Sequence, residues 1–145
     1  MLIAFPLLAL PVLVYNLLLL TMAGGLGTAD APSKLAAPLF TIPMTSGGAW
    51  PVTSGDLFLA GSLVVLFMEL LKSTNSRNVA IANHALSMIL FVVCLVEFLL
   101  LKGFATSVFF LITLMVLLDV LAGFIVTIVS SRRDIDFSGG GTGGG

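Results

Sequence analysis

The sequence predicts an all-α membrane protein: four transmembrane helices, a short extracytoplasmic β-hairpin between the first and second, and a disordered Gly-rich C-terminal tail. Three observations predict it. Residues 2–23, 57–71, 79–101 and 104–129 form four stretches nearly free of charge. Only 9% of the residues are charged while 59% are hydrophobic, where a soluble domain carries about 25% charged residues. Two short runs with alternating side chains flank Ser46-Gly47-Gly48 in the segment between the first two stretches.

A helix needs about 20 apolar residues to cross about 30 Å of hydrocarbon. Three of the stretches reach that length. The second, residues 57–71, is shorter and bracketed by Asp56 and Lys72; local thinning and snorkelling flanks accommodate such a span. The first is read as a retained span rather than a secretory signal. No Lys or Arg precedes it, its apolar run exceeds the usual 7–15 residues of a signal core, and Pro32 follows the small-residue trio Ala29-Asp30-Ala31. Pro6 and Pro11 bend or start this helix. Asn16, deep within it, is expected to hydrogen-bond another helix, and Gly24, Gly25 and Gly27 end it.

The hairpin is expected over about residues 39–53. Phe40, Ile42 and Met44 alternate with Leu39, Thr41 and Pro43, and glycine supplies the positive φ of a tight turn. Pro43 and Pro51 cannot donate to a ladder, so they belong at edges or bulges. Two strands alone are marginal in water, so the hairpin should rest on the membrane surface or on a partner, and Trp50 suits the headgroup level. It is read first as a lid over the helix ends, with a docking edge for another protein, through Phe40, Ile42, Met44 and Trp50, as the functional alternative. Ser54 or Asp56 then caps the second helix. Residues 72–78 form a polar turn. Lys102-Gly103 makes a link so tight that the third and fourth helices must be antiparallel neighbours. After residue 129 the chain turns polar, and residues 138–145 cannot offset the entropy of ordering. The domain is therefore residues 1–137, with no internal repeat.

Four spans place both termini on one side with Lys72, Arg77, Arg132 and Arg133, against Lys34 and Lys102 opposite. Basic residues concentrate in cytoplasmic loops, so both termini are expected in the cytoplasm.

Ionisable residues inside a bilayer cost about 2.5–3.5 kcal/mol each on insertion scales and usually face the bundle interior. Counting about 1.5 Å per residue puts His84 and Asp119 at similar depth in the cytoplasmic half, on helices that must be neighbours, with Glu69 slightly shallower. Two readings follow. In the preferred one, His84 pairs with Asp119 and Glu69 faces Lys72 or Arg77, which locks helix register. In the other, Glu69, His84 and Asp119 form a proton or cation site, with a carboxylate tuning the histidine. Glu97 lies about 140° around its helix from His84 and is assigned to Lys102, Thr106 or Ser107. Ala60-Gly61-Ser62 and Ala122-Gly123 are small-residue patches that let bilayer helices approach closely; packing within the chain is preferred over a dimer interface.

A net charge of −1 gives no basic stripe for nucleic acid. One cysteine, Cys94, and one histidine exclude an internal disulfide and make a structural metal site improbable. Neither a nucleophile triad nor a phosphate loop is present, so no enzyme activity and no cofactor are expected.

The segments Thr53-Ser-Gly-Asp-Leu57, Phe67-Met-Glu-Leu-Leu-Lys72, Asn83-His-Ala-Leu-Ser87, Val96-Glu-Phe-Leu99 and Asp119-Val-Leu-Ala-Gly123, with Arg132-Arg133-Asp134, resemble small four-span inner-membrane proteins of alphaproteobacteria. The resemblance covers residues 39–137. It implies a bacterial inner-membrane location and brings no activity or site. Small multidrug transporters share the size and span count but use a carboxylate in their first span, which has none here. The expected function is a non-catalytic accessory subunit, assembly factor or scaffold of a larger inner-membrane complex, with a membrane-protein partner or self-association in the lipid bilayer. The alternative is a small oligomeric proton-coupled transporter or channel using Glu69, His84 and Asp119.

Overall fold

The computed structural model describes residues 5–21, 30–73 and 77–138. The expected helix-ending glycines 24, 25 and 27, the centre of the 72–78 turn and residues 139–145 of the tail lie outside them.

Helix α1 spans Ala9–Thr21, and proline explains its late start. Pro11 has no N–H for the Leu7 carbonyl four residues back; that carbonyl instead takes the N–H of Leu10 at 2.9 Å, and Pro6 takes that of Ala9 at 3.1 Å. The 13 described residues of α1 extend about 20 Å at 1.5 Å each; residues 2–4 and 22–23 of the 2–23 span expected lie outside the described ones. A five-residue helix, α2 (Ala31–Leu35), follows Asp30 with proline in its first turn.

The hairpin forms from β1 (Pro38–Pro43) and β2 (Ala49–Thr53). Phe40 pairs with Val52 and Ile42 with Trp50, with one irregularity between Pro38 and Phe40. Gly47 takes φ +83° in the turn, a value an L side chain disfavours.

Helix α3 (Ser54–Ser73) follows β2 without a linker. Its 20 residues cover about 30 Å, so no bilayer thinning is needed for the stretch expected at 57–71. Of the two cap candidates, Asp56 takes part and Ser54 does not. Thr53, not Ser54, closes the helix start: its Oγ1 accepts the Asp56 N–H at 3.1 Å, and Asp56 Oδ2 accepts the Thr53 N–H at 2.9 Å. This reciprocal box satisfies donors that a helix start otherwise leaves open. Ser54 Oγ instead lies 3.2 Å from the Lys34 carbonyl and 3.3 Å from the Leu35 carbonyl, with its one hydrogen available to either, and so ties α2 to α3.

Helix α4 (Arg77–Leu100) meets a 3-10 turn, Lys102–Phe104, and then α5 (Ser107–Ser138). Thr106 caps α5, its Oγ1 accepting the Phe109 N–H at 3.1 Å. The 32 residues of α5 continue past the apolar run, so residues 130–138, read from sequence as polar tail, are helical. The polar backbone stays hydrogen-bonded by extending the ladder already formed.

Among the described residues, three helices are long and apolar enough to cross a membrane, over Ser54–Lys72, Ala82–Leu100 and Ser107–Ile125. Burial supports the same conclusion. Ser62, Glu69, Asn83, Ser87, Thr113 and Asp119 are buried, while Val64, Ile89, Leu99, Leu100 and Ile125 are more than 60% exposed. Water would favour the reverse arrangement; lipid favours this one. The molecule is therefore a membrane protein.

Helix α5 is central: it packs along α4 and along α3. Leu8, just before α1, and Val12, Tyr15 and Leu19 of α1 are buried against the three. At the hairpin end Tyr15 sits among Phe58, Phe104 and Phe109 with ring centroids 4.8–6.1 Å apart. The two small-residue patches differ. A Cβ on Gly123 would collide with the His84 imidazole, whereas one on Gly61 meets nothing within 4 Å. Gly123 is thus a packing residue within the chain. Gly123→Ala is expected to destabilise the bundle by about 1–3 kcal/mol through overpacking, and Gly61→Ala to stay within about 0.5 kcal/mol. Thermal unfolding of both variants in mild detergent measures the contrast.

Candidate functional site

Two features stand out: a polar network inside the end of the bundle opposite the hairpin, and the hairpin itself.

The network begins at Glu69, on the face of α3 that also buries Ser62 and Leu66. Spacings of four and three residues keep these side chains on one stripe. Glu69 Oε1 receives Asn83 Nδ2 from α4, and Oε2 receives the Leu7 N–H from the turn before α1. Lys72 Nζ lies 3.5 Å from Oε1. The same ammonium donates to Asn83 Oδ1 at 3.1 Å and to the Phe5 carbonyl. Both Glu69 oxygens thus have donors, and an opposite charge lies beside them. Satisfied in this way, a carboxylate can persist in low dielectric.

Asn83 and Ser87 share a face of α4, four residues apart, and that stripe continues to buried Cys94. Ser87 Oγ lies 3.0 Å from the Asn83 carbonyl and 2.5 Å from Asp119 Oδ2 on α5. Asp119 Oδ1 is 4.0 Å from His84 Nδ1, beyond hydrogen-bond length.

Glu69, His84 and Asp119, singled out by sequence depth, therefore all border one region. Glu69 does not contact Asp119 directly; Asn83 and Ser87 connect them. Neither connecting residue was assigned a role from sequence. The available signal was their i, i+4 spacing on the helix that carries His84. Glu97 lies elsewhere. It meets Asn16 of α1 instead of the Lys102, Thr106 or Ser107 expected, because α1 occupies that side of α4. Asn16 faces Glu97 on α4, but its Nδ2 donates at 3.1 Å to the Val12 carbonyl of its own helix rather than to the other helix expected. Tyr15 fastens α1 at the hairpin end. Its hydroxyl lies 2.7 Å from Thr106 Oγ1 and 3.2 Å from the Gly103 carbonyl.

The hairpin has the opposite character. Residues 35–55 contain no charge. Phe40, Ile42, Met44 and Trp50 are all exposed, as is Leu39 on the other face. Val52, at 4% exposed, anchors the base. Between α2 and the starts of α3 and α5 lies a cleft of about 350 Å³ lined by Leu35, Thr53, Asp56, Thr106 and Val108. Among the described residues, no group of three or more His, Cys, Asp or Glu side chains could hold a metal ion.

No protein-family model, curated protein or solved structure matches this chain.

Removing Asn83 leaves Glu69 and Lys72 short of a buried partner. Asn83→Leu is expected to cost about 1–3 kcal/mol, and Tyr15→Phe about 1 kcal/mol. Chemical denaturation in detergent micelles, compared with wild type, reads both losses.

Proposed function

We propose that this chain is a non-catalytic membrane subunit or scaffold that binds another membrane protein through its hairpin. The observation that carries the reading is the uncharged hairpin, whose Phe40, Ile42, Met44 and Trp50 side chains stay exposed. Two strands with an apolar surface gain stability from a cover, and aromatic side chains are favoured anchors at such contacts. The Glu69 network agrees with a structural role, because its donors tie α1, α3 and α4 together. In this reading α1 belongs to a fourth span. Both termini are cytoplasmic, as the Lys72, Arg77, Arg132 and Arg133 bias favours. The resemblance of residues 39–137 to small alphaproteobacterial proteins favours the bacterial inner membrane.

A second reading keeps the chain as a small oligomeric proton-coupled transporter or channel. Its support is Asp119 Oδ1, buried without a hydrogen bond among the described residues and facing His84.

The test is affinity isolation of the tagged protein from its native membrane in mild detergent. The subunit reading expects one stoichiometric partner. Its recovery should fall about tenfold or more in Ile42→Ser/Trp50→Ser, as loss of an anchor worth at least 1.4 kcal/mol requires. It should be unchanged in Asp119→Asn. A partner retained by the hairpin variant sinks the reading. Proton flux in vesicles of the purified chain, lost in Asp119→Asn, would establish the second one.

A further inference from the structure

We propose that Asp119 is a proton-binding site: in the native bundle it is a neutral acid, and its proton completes a directed chain from Asp119 through Ser87 to the Asn83 carbonyl. Counting hydrogens leads there. Ser87 Oγ is within hydrogen-bond distance of two oxygens, Asp119 Oδ2 at 2.5 Å and the Asn83 carbonyl at 3.0 Å. A hydroxyl has one hydrogen to donate, and a backbone carbonyl only accepts. If Asp119 were ionised, one of the two contacts would have no hydrogen in it. With the proton on Asp119 Oδ2, the acid donates to Ser87, and Ser87 donates to Asn83. Both contacts then become hydrogen bonds.

The surroundings of the two buried carboxyl groups point the same way. Glu69 has a donor on each oxygen and the Lys72 ammonium beside it. Asp119, fully buried, has no donor on Oδ1 among the described residues. Among the described residues, the charged or titratable groups that act on it are Glu69 and Lys72 from α3 and His84 from α4. Lys72 is bonded to Glu69, Asn83 and Phe5. His84 Nδ1, 4.0 Å away, is too far to donate. An ionised Asp119 would place a second negative charge near Glu69 in a medium where a poorly solvated carboxylate is costly. A neutral acid avoids this and closes the α4–α5 seam through a hydrogen bond. The inference does not depend on the hairpin reading, and the second functional reading would build on it.

The test is infrared spectroscopy of the full-length chain in lipid vesicles at neutral pH, with aspartate carboxyl carbons isotopically labelled. The label separates aspartate bands from those of Glu69 and Glu97. A label-sensitive carbonyl stretch of a protonated carboxylic acid is expected. It should be lost in Asp119→Asn, whose amide can still donate to Ser87, and should change frequency in Ser87→Ala. Absence of the band in wild type overturns the proposal, and so does a band unchanged in Asp119→Asn. If Asp119→Asn does not fold, Ser87→Ala decides: an unmoved band means the protonated acid is elsewhere.

Discussion

The structure depends on how a carboxylate is kept inside an apolar bundle. Glu69 collects donors from three parts of the chain: Asn83 on α4, the Leu7 N–H before α1, and Lys72 on its own helix. Each contact meets a need on both sides. The carboxylate receives hydrogen bonds that lipid cannot provide. Leu7 lies where a helix start leaves N–H groups open, and Asn83 and Lys72 are themselves partnered. This polar clasp just before α1 and the Tyr15 contact with Thr106 position it, together with the packing of Val12 and Leu19.

The two ends of the bundle use different physics. At the hairpin end, aromatic rings pack around Tyr15, and Thr53 and Thr106 cap the starts of α3 and α5. At the other end, polar side chains connect α3, α4 and α5. Close approach of α4 and α5 requires Gly123, whose missing side chain leaves room for His84. The same approach brings Ser87 within 2.5 Å of Asp119.

The exposed surfaces divide in the same way. The outward faces of the long helices are apolar because their solvent is lipid. The hairpin is apolar although it precedes α3 at its capped end. The polar network is enclosed, so its groups act first on helix packing; a proton on Asp119 would make that packing sensitive to protonation.

Much of this was legible in the sequence because its physical causes are local. Charge-free runs marked the three long apolar helices, glycine with flanking alternation marked the hairpin, and a fixed rise per residue placed Glu69, His84 and Asp119 near one level. Pro11, read as bending or starting the first helix, sets where α1 begins; other local signals carried no expectation, namely Thr53 with Asp56 three residues on and proline at the start of α2. What only the tertiary structure decided is rotation about helix axes and the seating of α1. Asn83 and Ser87 bridge the acids because α4 turns that face inward, and Glu97 meets Asn16 because α1 lies against that side. Sequence spacing determines which residues share a face; which neighbour that face meets depends on contacts distant in the chain, and these form only when the helices pack.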